Sequence, residues 1–219
     1  MLKELFQGPG DDFDSAVGYS RDVLKRPWPD LEPMLVALMP APDLFQLQSC
    51  IFFEFIEYAR YHDGSPTLEL EILAQGYPAA AFAYAACGTR RRWQGAEPLI
   101  LSGDTAARPA LSTVLGDILD ISQWASSWES QAVIYARLFL PSGWPELEDK
   151  MVRRECHPRV AYEYAVNVLR GPLPQAIKNW LVLDEFDREG KEYVDKYLDY
   201  EKAHQAHASQ GDATPSPPP

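Results

Sequence analysis

A run of basic residues, Arg90-Arg91-Arg92-Trp93, lies within a chain of 219 residues whose formal net charge is −12. Guanidinium groups beside an aromatic ring can hold a phosphate, a carboxylate or an acidic peptide. The repeat described below places this run at the turn between two helices, on one edge of the molecule. We therefore predict a partner-binding site formed by Arg90, Arg91 and Arg92. The alternative is that the arginines are only solvated and that Trp93 is a packing residue.

Other groupings that carry chemistry are sparse. Glu54 and Glu57 can share a helix face near His62, but a metal site in a helical bundle would use a Glu-x-x-His pair. His157 precedes Pro158, where a helix N-cap belongs. The phosphate-binding, zinc-protease and hydrolase motifs G-x-G-x-x-G, G-x-x-x-x-G-K-[ST], H-E-x-x-H and G-x-S-x-G are missing from the sequence. We expect no catalytic residue, no metal site, no cofactor and no enzymatic activity.

The elements that would position the arginines form a repeat. Five segments carry a small or apolar residue followed three positions on by Tyr or Ile, and twelve positions after the first residue they reach Trp, Ser or Leu. Pro follows in four of the five. We call the residues at this twelfth position the anchors, and they are Trp28, Ser65, Trp93, Trp144 and Leu173. The residue that begins each segment and the Tyr or Ile three positions later are Ala16-Tyr19, Phe53-Ile56, Ala81-Tyr84, Ala132-Tyr135 and Ala161-Tyr164.

The best copy, residues 157–183, indicates a helical hairpin. Pro158 suits the first turn of a helix, and an apolar stripe follows at helical spacing, with Glu163 on the other side. Gly171-Pro172 is expected to end this helix, and Pro174 to begin a second one. Ile177, Trp180, Leu181 and Leu183 are predicted on its inner face. Short hairpins bury their apolar faces only by stacking, so the repeated tyrosines are predicted to pack rather than to catalyse.

The stretch from Pro158 to Gly171, PRVAYEYAVNVLRG, resembles a family of short degenerate helical repeats seen in phage and bacterial reading frames. Its units look like Pro-x-x-Ala-Tyr-x-Tyr-Ala-x-x-Val-Leu-x-Gly-x-Trp-Pro-x-x-Glu. Residues 15–32 and 131–148 match this unit more loosely. The resemblance implies a helical solenoid of the HEAT or tetratricopeptide kind and transfers no site residue. Tetratricopeptide repeats themselves, at about 34 residues, are longer than the spacing of the best copies.

We therefore predict an all-α fold, an irregular α-solenoid of stacked helical hairpins with a C-terminal capping helix. Residues 12–183 form the repeat domain of five to six degenerate copies, the sixth being eroded and lying between Leu101 and Trp128. Residues 184–202 form the charged capping helix, with a break at Gly190. Residues 1–11 are expected to be flexible, and the Pro-rich tail at 203–219 is expected to be disordered.

Composition limits the classes of partner. Hydrophobic residues make up 46% and charged residues 24%, which is ordinary for a globular protein. The negative net charge disfavours direct binding to nucleic acid or to an anionic membrane. No apolar run reaches about 18 residues and no signal-peptide pattern is present. Three widely spaced cysteines, Cys50, Cys87 and Cys156, favour a reducing compartment, so we predict a cytoplasmic protein.

The function predicted from these features is a non-enzymatic protein–protein interaction or scaffold module with a protein partner, because stacked hairpins form an extended surface. An alternative is an acidic inhibitor or nucleic-acid mimic that blocks a basic site on a host factor, which requires acids gathered on one face. A third reading is a small enzyme that uses carboxylates and tyrosines from a groove.

Overall fold

The computed structural model describes residues 16–37, 54–62, 64–102 and 131–209. Every regular element in these ranges is helical and none is a strand, which confirms the all-α prediction. The chain divides into two compact units, Met1–Gln131 and Ala132–Pro219. The predicted flexible N-terminus, the eroded copy beyond residue 102 and residues 210–219 lie outside the described residues.

The first unit contains helices that follow one another as hairpins. In chain order they are α1, described from residue 16 and ending in the π-helical turn Ser20–Leu24; α2, Glu32–Ala37; α3, described over 54–61; α4, Pro66–Gln75; α5, Pro78–Ala83, with the π-helical turn Tyr84–Thr89; and α6, Glu97–Ser102, preceded by the 3-10 turn Gln94–Ala96. Helix α2 packs on α4, α4 touches α5, and α5 packs on α6.

The second unit has the same hairpin order. Its helices are α7, Gln131–Phe139; α8, Pro145–Val152; α9, Pro158–Tyr164, with the π-helical turn Ala165–Leu169; α10, Gln175–Leu183; and α11, Arg188–Ser209. Helix α8 packs on α10, and α9 packs on α11. The second helices of neighbouring hairpins therefore lie against each other, and the first helix of one hairpin lies against the helix that follows the hairpin.

Helix starts follow the pattern predicted for residues 157–183. Proline occupies the first turn of α4, α5, α8 and α9, where its missing N–H costs no helical hydrogen bond. The side chain of His157 caps α9, because its Nδ1 accepts the Arg159 N–H at 3.3 Å. The hydroxyl of Ser65 caps α4 in the same way. His157 is thus a helix cap, as predicted.

Three helix ends share a left-handed basic residue. Lys25 (φ 51°), Arg90 (φ 54°) and Arg170 (φ 51°) each follow a π-helical turn. After Arg90 and Arg170 the N–H of the next residue closes the turn, with 3.2 Å bonds from Arg91 N to Ala85 O and from Gly171 N to Ala165 O. The sequence predicted that Gly171 ends α9, but Arg170 takes the left-handed conformation instead. That conformation costs about 1–2 kcal/mol for a residue with a Cβ, and a cation at a helix C-terminus offsets part of this cost.

Repeated aromatic residues form much of the core, as predicted. Tyr84, Tyr135 and Tyr164 are fully buried. Two tyrosines pack on the anchor of their own hairpin, with ring centroids 4.9 Å apart for Tyr84 and Trp93 and 5.4 Å apart for Tyr135 and Trp144. Tyr19 packs on Trp28 at 5.8 Å but stays 47% exposed, so the first copy differs from the others.

Two side chains of the best copy lie opposite to the prediction. Leu183, predicted on the inner face, is 76% exposed because it is the last residue of α10. Glu163, predicted on the outer side, is buried and pairs with Arg159 at 2.5 Å. The ion pair with an arginine one turn earlier in the helix therefore allows this carboxylate to be buried. A hydrophobicity pattern alone does not predict such a pair.

The boundaries predicted for the capping segment also change. Helix α11 begins at Arg188, and the N–H of Gly190 donates to Asp187 Oδ1 at 2.7 Å within its first turn. Gly190 is therefore part of the helix start and not a break. The helix continues to Ser209, so the expectation of disorder from residue 203 is wrong as far as that residue.

Candidate partner-binding site

The predicted arginine site follows the π-helical turn Tyr84–Thr89, between α5 and α6. Arg90 is the left-handed residue that ends the turn, and the Arg91 N–H bonds to Ala85 O at 3.2 Å. Arg92 directly precedes the anchor Trp93. The backbone thus presents three consecutive exposed arginines at a helix–helix turn.

Two of the three arginines are paired within the first unit. Arg91 Nη2 lies 3.5 Å from Glu69 Oε1. Arg92 holds Glu97 with two bonds, at 2.6 Å from Nε and 3.2 Å from Nη2. The geometry therefore does not offer three uncompensated guanidinium groups to a partner, and binding by this run stays a prediction.

Arg90 borders an open cleft of about 310 Å³ whose other lining residues are Arg60, Gly88 and Thr89. Arg60 comes from α3, and its Nη2 lies 3.4 Å from Cys87 O. Gly88 brings the two segments together, because a Cβ on it would lie 2.7 Å from the Ala59 Cβ. A close approach through a glycine thus places two arginines from different elements on one cleft.

A second arrangement recurs through both units and joins neighbouring hairpins. The N–H of the anchor Trp144 donates to the hydroxyl of Tyr164 at 2.5 Å, and this hydroxyl donates to Glu148 Oε1 at 2.7 Å. Trp144 is the N-cap of α8, so its N–H lies at a helix start that lacks a side-chain cap of its own. We call this chain of anchor N–H, tyrosine hydroxyl and carboxylate a tyrosine relay. It resembles a capping box in which a tyrosine from the next hairpin stands between backbone and carboxylate.

The relay occurs again in the first unit. The N–H of Trp28 donates to the Tyr58 hydroxyl at 2.6 Å, and that hydroxyl donates to Glu32 Oε1 at 2.9 Å. The hydroxyl of Tyr84 donates to Glu69 Oε1 at 2.9 Å, and Glu69 lies four residues after the anchor Ser65. In the second unit Tyr197 accepts the Leu173 N–H at 3.1 Å. Three anchors, Trp28, Trp144 and Leu173, are thus bound by a tyrosine that comes later in the chain, and at Ser65 the later tyrosine binds only the carboxylate.

Electrostatics keep these hydroxyls protonated. Burial is the main cause that raises the pKa of Tyr58, Tyr84 and Tyr164 well above the usual tyrosine range, and the hydrogen bond to a carboxylate raises it further. Burial likewise raises the pKa of Tyr197 to about 12. A phenol held neutral and already hydrogen-bonded on both sides is a poor base or nucleophile, so the geometry assigns these tyrosines to packing.

No family model, curated protein or solved structure matches this chain. The roles of the repeat positions are therefore inferred by comparing the copies within this chain.

Sequence reasoning missed two parts of the relay. The first is the carboxylate, although Glu32, Glu69, Glu97 and Glu148 all stand four residues after an anchor, and that spacing was the available signal. The second is Tyr197, which lies in the segment predicted only as a charged capping helix. In the second copy the repeat position of the tyrosine is occupied by Ile56. The residue that accepts the Trp28 N–H is instead Tyr58, two positions later.

A buried polar cluster surrounds the Tyr58 relay. Ser20 Oγ lies 2.9 Å from His62 Nε2 and 3.1 Å from Arg26 O, and Ser65 Oγ donates to Glu32 Oε1 at 2.5 Å. A serine next to a histidine suggests nucleophilic chemistry. However, the Ser20 hydroxyl donates its one proton to the Arg26 carbonyl, so the His62 Nε2–H donates to Ser20. Ser20 is also fully buried, so no substrate reaches it.

His62 itself is buried at the end of α3. Burial lowers its pKa below the usual histidine value, which favours the neutral ring. The part of the chain that the structure describes holds no group of three His, Cys, Asp or Glu side chains arranged for a metal ion. Within that same part, no helix has both the length and the apolar character needed to cross a membrane.

The first copy exposes a face that the last copy buries. Tyr19 and Val23 are 47% and 60% exposed, whereas Tyr164 and Val168, at the same repeat positions, are 0% and 3% exposed. The Tyr164 hydroxyl lies against the preceding hairpin, at Trp144 and Glu148. Within the described residues, the Tyr19 hydroxyl makes no hydrogen bond. We call the surface formed by Tyr19 and Val23 the Tyr19 face.

Proposed function

We propose that this protein is a non-enzymatic protein-binding module built from stacked helical hairpins, in which each unit is a short stretch of irregular α-solenoid. The packing of α8 on α10 and of α9 on α11 supports stacking within the second unit. The tyrosine relays support it in both, because they tie Trp28 in the first unit and Trp144 and Leu173 in the second to a later helix. In this view α11 serves as the capping helix.

The observation that carries the proposal is the Tyr19 face. In the last copy Tyr164, which matches Tyr19, binds the start of a helix, so this chain itself indicates what chemistry such a face binds. The partner would present the first turn of a helix, with a backbone N–H for the Tyr19 hydroxyl to accept and an acidic side chain four residues on. Val23 would supply apolar contact beside it.

The acidic-mimic alternative has less support. It needs carboxylates gathered on an open surface, but several of the described ones point inward. Glu32 and Glu148 accept tyrosine hydroxyls, and Glu163 is held by Arg159. These carboxylates stabilise the hairpins and are not displayed to a basic partner.

Photo-crosslinking tests the proposal. A benzoylphenylalanine at position 19 is compared with one at position 61, because Tyr61 is 49% exposed and belongs to the same unit. In cells of the source organism we expect position 19 to capture a partner and position 61 not to. The crosslinked residue, mapped by mass spectrometry, should lie in the first turn of a partner helix that carries the acid.

The variant Val23→Asp should abolish the crosslink at position 19, whereas Val182→Asp, at a 62% exposed valine of the second unit, should not. A crosslink from position 19 only to the same chain, or equal capture from both positions, contradicts the proposal.

A further inference from the structure

The cleft between Arg60 and Arg90 has a charge balance that points to a ligand. Two arginines, Arg60 and Arg90, line it, and Arg91 and Arg92 follow Arg90 in the chain. Arg60 pairs with Glu57 at 2.9 Å, and the pairs of Arg91 with Glu69 and of Arg92 with Glu97 are described above. Within the described residues the guanidinium of Arg90 makes no ion pair. One positive charge therefore remains uncompensated, and it lies at the cleft.

Arg60 is also arranged to face a ligand. Its Nη1 holds Glu57 and its Nη2 reaches Cys87 O, at the wall of the cleft. A guanidinium has more N–H donors than these two bonds use, so donors remain for a group in the cleft. The Thr89 hydroxyl donates to Tyr84 O at 3.3 Å, which leaves the two arginines as the side-chain donors there.

We propose that this cleft binds a single carboxylate group, held between the guanidinium groups of Arg60 and Arg90. A carboxylate carries one negative charge, which matches the one uncompensated cation. A phosphate carries roughly −1.5 to −2 at neutral pH. The inference does not depend on the Tyr19 face, since it uses a different element and a different chemistry.

The neighbouring thiol does not account for the arginines. Cys87 is fully buried, and that burial raises its pKa to about 12 although Arg60 and Arg90 act in the opposite direction. The two arginines therefore do not create a reactive thiolate. The helix-end preference for cations explains a basic residue at positions 25, 90 and 170 alike, but it does not explain a second arginine across a cleft from Arg90.

The test is an NMR titration of arginine Nε–H signals with acetate and, separately, with inorganic phosphate, at constant ionic strength and neutral pH. We expect acetate to shift the Arg60 and Arg90 signals together. The variant Arg90→Gly should weaken acetate binding by about tenfold or more, because it removes a charge-assisted hydrogen bond. Glycine suits the left-handed backbone at this position, so the fold is retained, and Arg60→Gln provides a second, independent loss.

Arg170→Gly is the matched control, because Arg170 is exposed and left-handed but belongs to the other unit. It should leave the acetate affinity unchanged. A peptide with one Glu identifies the source of the carboxylate, and the same peptide with Gln is its control. If the Glu peptide binds more tightly than acetate, the ligand is a side chain of a partner; if it binds equally, the ligand is a small free acid. Shifts that are absent with acetate, that persist in Arg90→Gly, or that are stronger with phosphate overturn the proposal.

Discussion

The backbone N–H of Trp144 donates to the hydroxyl of Tyr164 across 20 positions of sequence, at 2.5 Å. Trp144 begins α8 and Tyr164 ends the helical part of α9, so one bond joins the second helix of a hairpin to the first helix of the next. The hydroxyl in turn donates a hydrogen bond to Glu148, which lies in α8. A single phenol oxygen thus satisfies a helix start and a carboxylate at the same time.

Removing that hydroxyl should cost more than an ordinary surface bond. Tyr164→Phe leaves the Trp144 N–H without its partner, and we expect the free energy of unfolding to fall by about 1–3 kcal/mol. Tyr164→Ala also opens a cavity and should cost about 3 kcal/mol or more. Urea denaturation measures both. Tyr19→Phe is the control and should change stability little, since the Tyr19 hydroxyl makes no hydrogen bond within the described residues; equal losses at the two positions would contradict the relay.

Alkaline pH should weaken the fold through the same tyrosines. An unfolded tyrosine ionises near pH 10, whereas the pKa of Tyr197 is about 12 in the folded chain. The unfolded state therefore loses its proton first. This contribution to stability is complete below about pH 10 and is lost as the pH rises toward about 12. Urea midpoints at about pH 9 and about pH 11 should differ, and Tyr197→Phe should reduce the difference. A midpoint independent of pH over this range would be inconsistent with raised tyrosine pKa values.

The close approach at Gly88 predicts a strong effect of one methyl group. A Cβ there would lie 2.7 Å from the Ala59 Cβ, so Gly88→Ala should destabilise the first unit by about 1–3 kcal/mol. Gly18→Ala is the matched change, since nothing lies within 4 Å of its Cβ position, and a helical alanine there should stabilise by about 0.5–1 kcal/mol. Thermal melts measure both. The double variant Gly88→Ala with Ala59→Gly should recover part of the loss; a Gly88→Ala protein as stable as the parent contradicts the contact.

Replacing an arginine in the left-handed conformation by glycine should increase stability. Arg170→Gly removes the conformational cost of a Cβ at φ 51°, while glycine adds entropy to the unfolded chain. The balance should raise the free energy of unfolding by up to about 1 kcal/mol. Arg153→Gly, at an exposed residue with ordinary backbone, should instead destabilise. A lower melting temperature for Arg170→Gly would mean that its charge at the helix end outweighs the strain.

Much of the fold follows from the spacing of apolar residues and prolines. The hairpin at 157–183 has the helices, the cap and the buried stripe that its pattern predicts, because helical periodicity and proline at the first turn act locally. The ends of the helices are harder to predict. The sequence predicted that Gly171 ends the helix, but the left-handed residue is Arg170. The place where the helix ends also depends on the bond from Gly171 N to Ala165 O and on the favourable charge of Arg170 at the helix C-terminus.

The candidate site shows a similar limit. The arginine run was visible in the sequence, yet the pairing of Arg91 depends on Glu69, which tertiary contact brings to it, whereas Arg92 pairs with Glu97 five positions on. Arg60 could not be assigned to the cleft from sequence, because only the approach permitted by Gly88 places it there. Tyr197 was likewise hidden in a charged segment whose pattern indicated a solvated helix, whereas its ring is 1% exposed.

The tyrosine relay also gives the chain an order of assembly. Trp28 receives its hydrogen-bond partner from Tyr58, which is 30 positions later and leaves the ribosome after it. Trp144 and Leu173 depend in the same way on residues that are translated after them. At these three anchors the backbone N–H therefore gains its partner only when a later stretch of polypeptide has emerged. Because these loops are short, their closure is fast, and the protein can mature from its N-terminal side while translation is still under way.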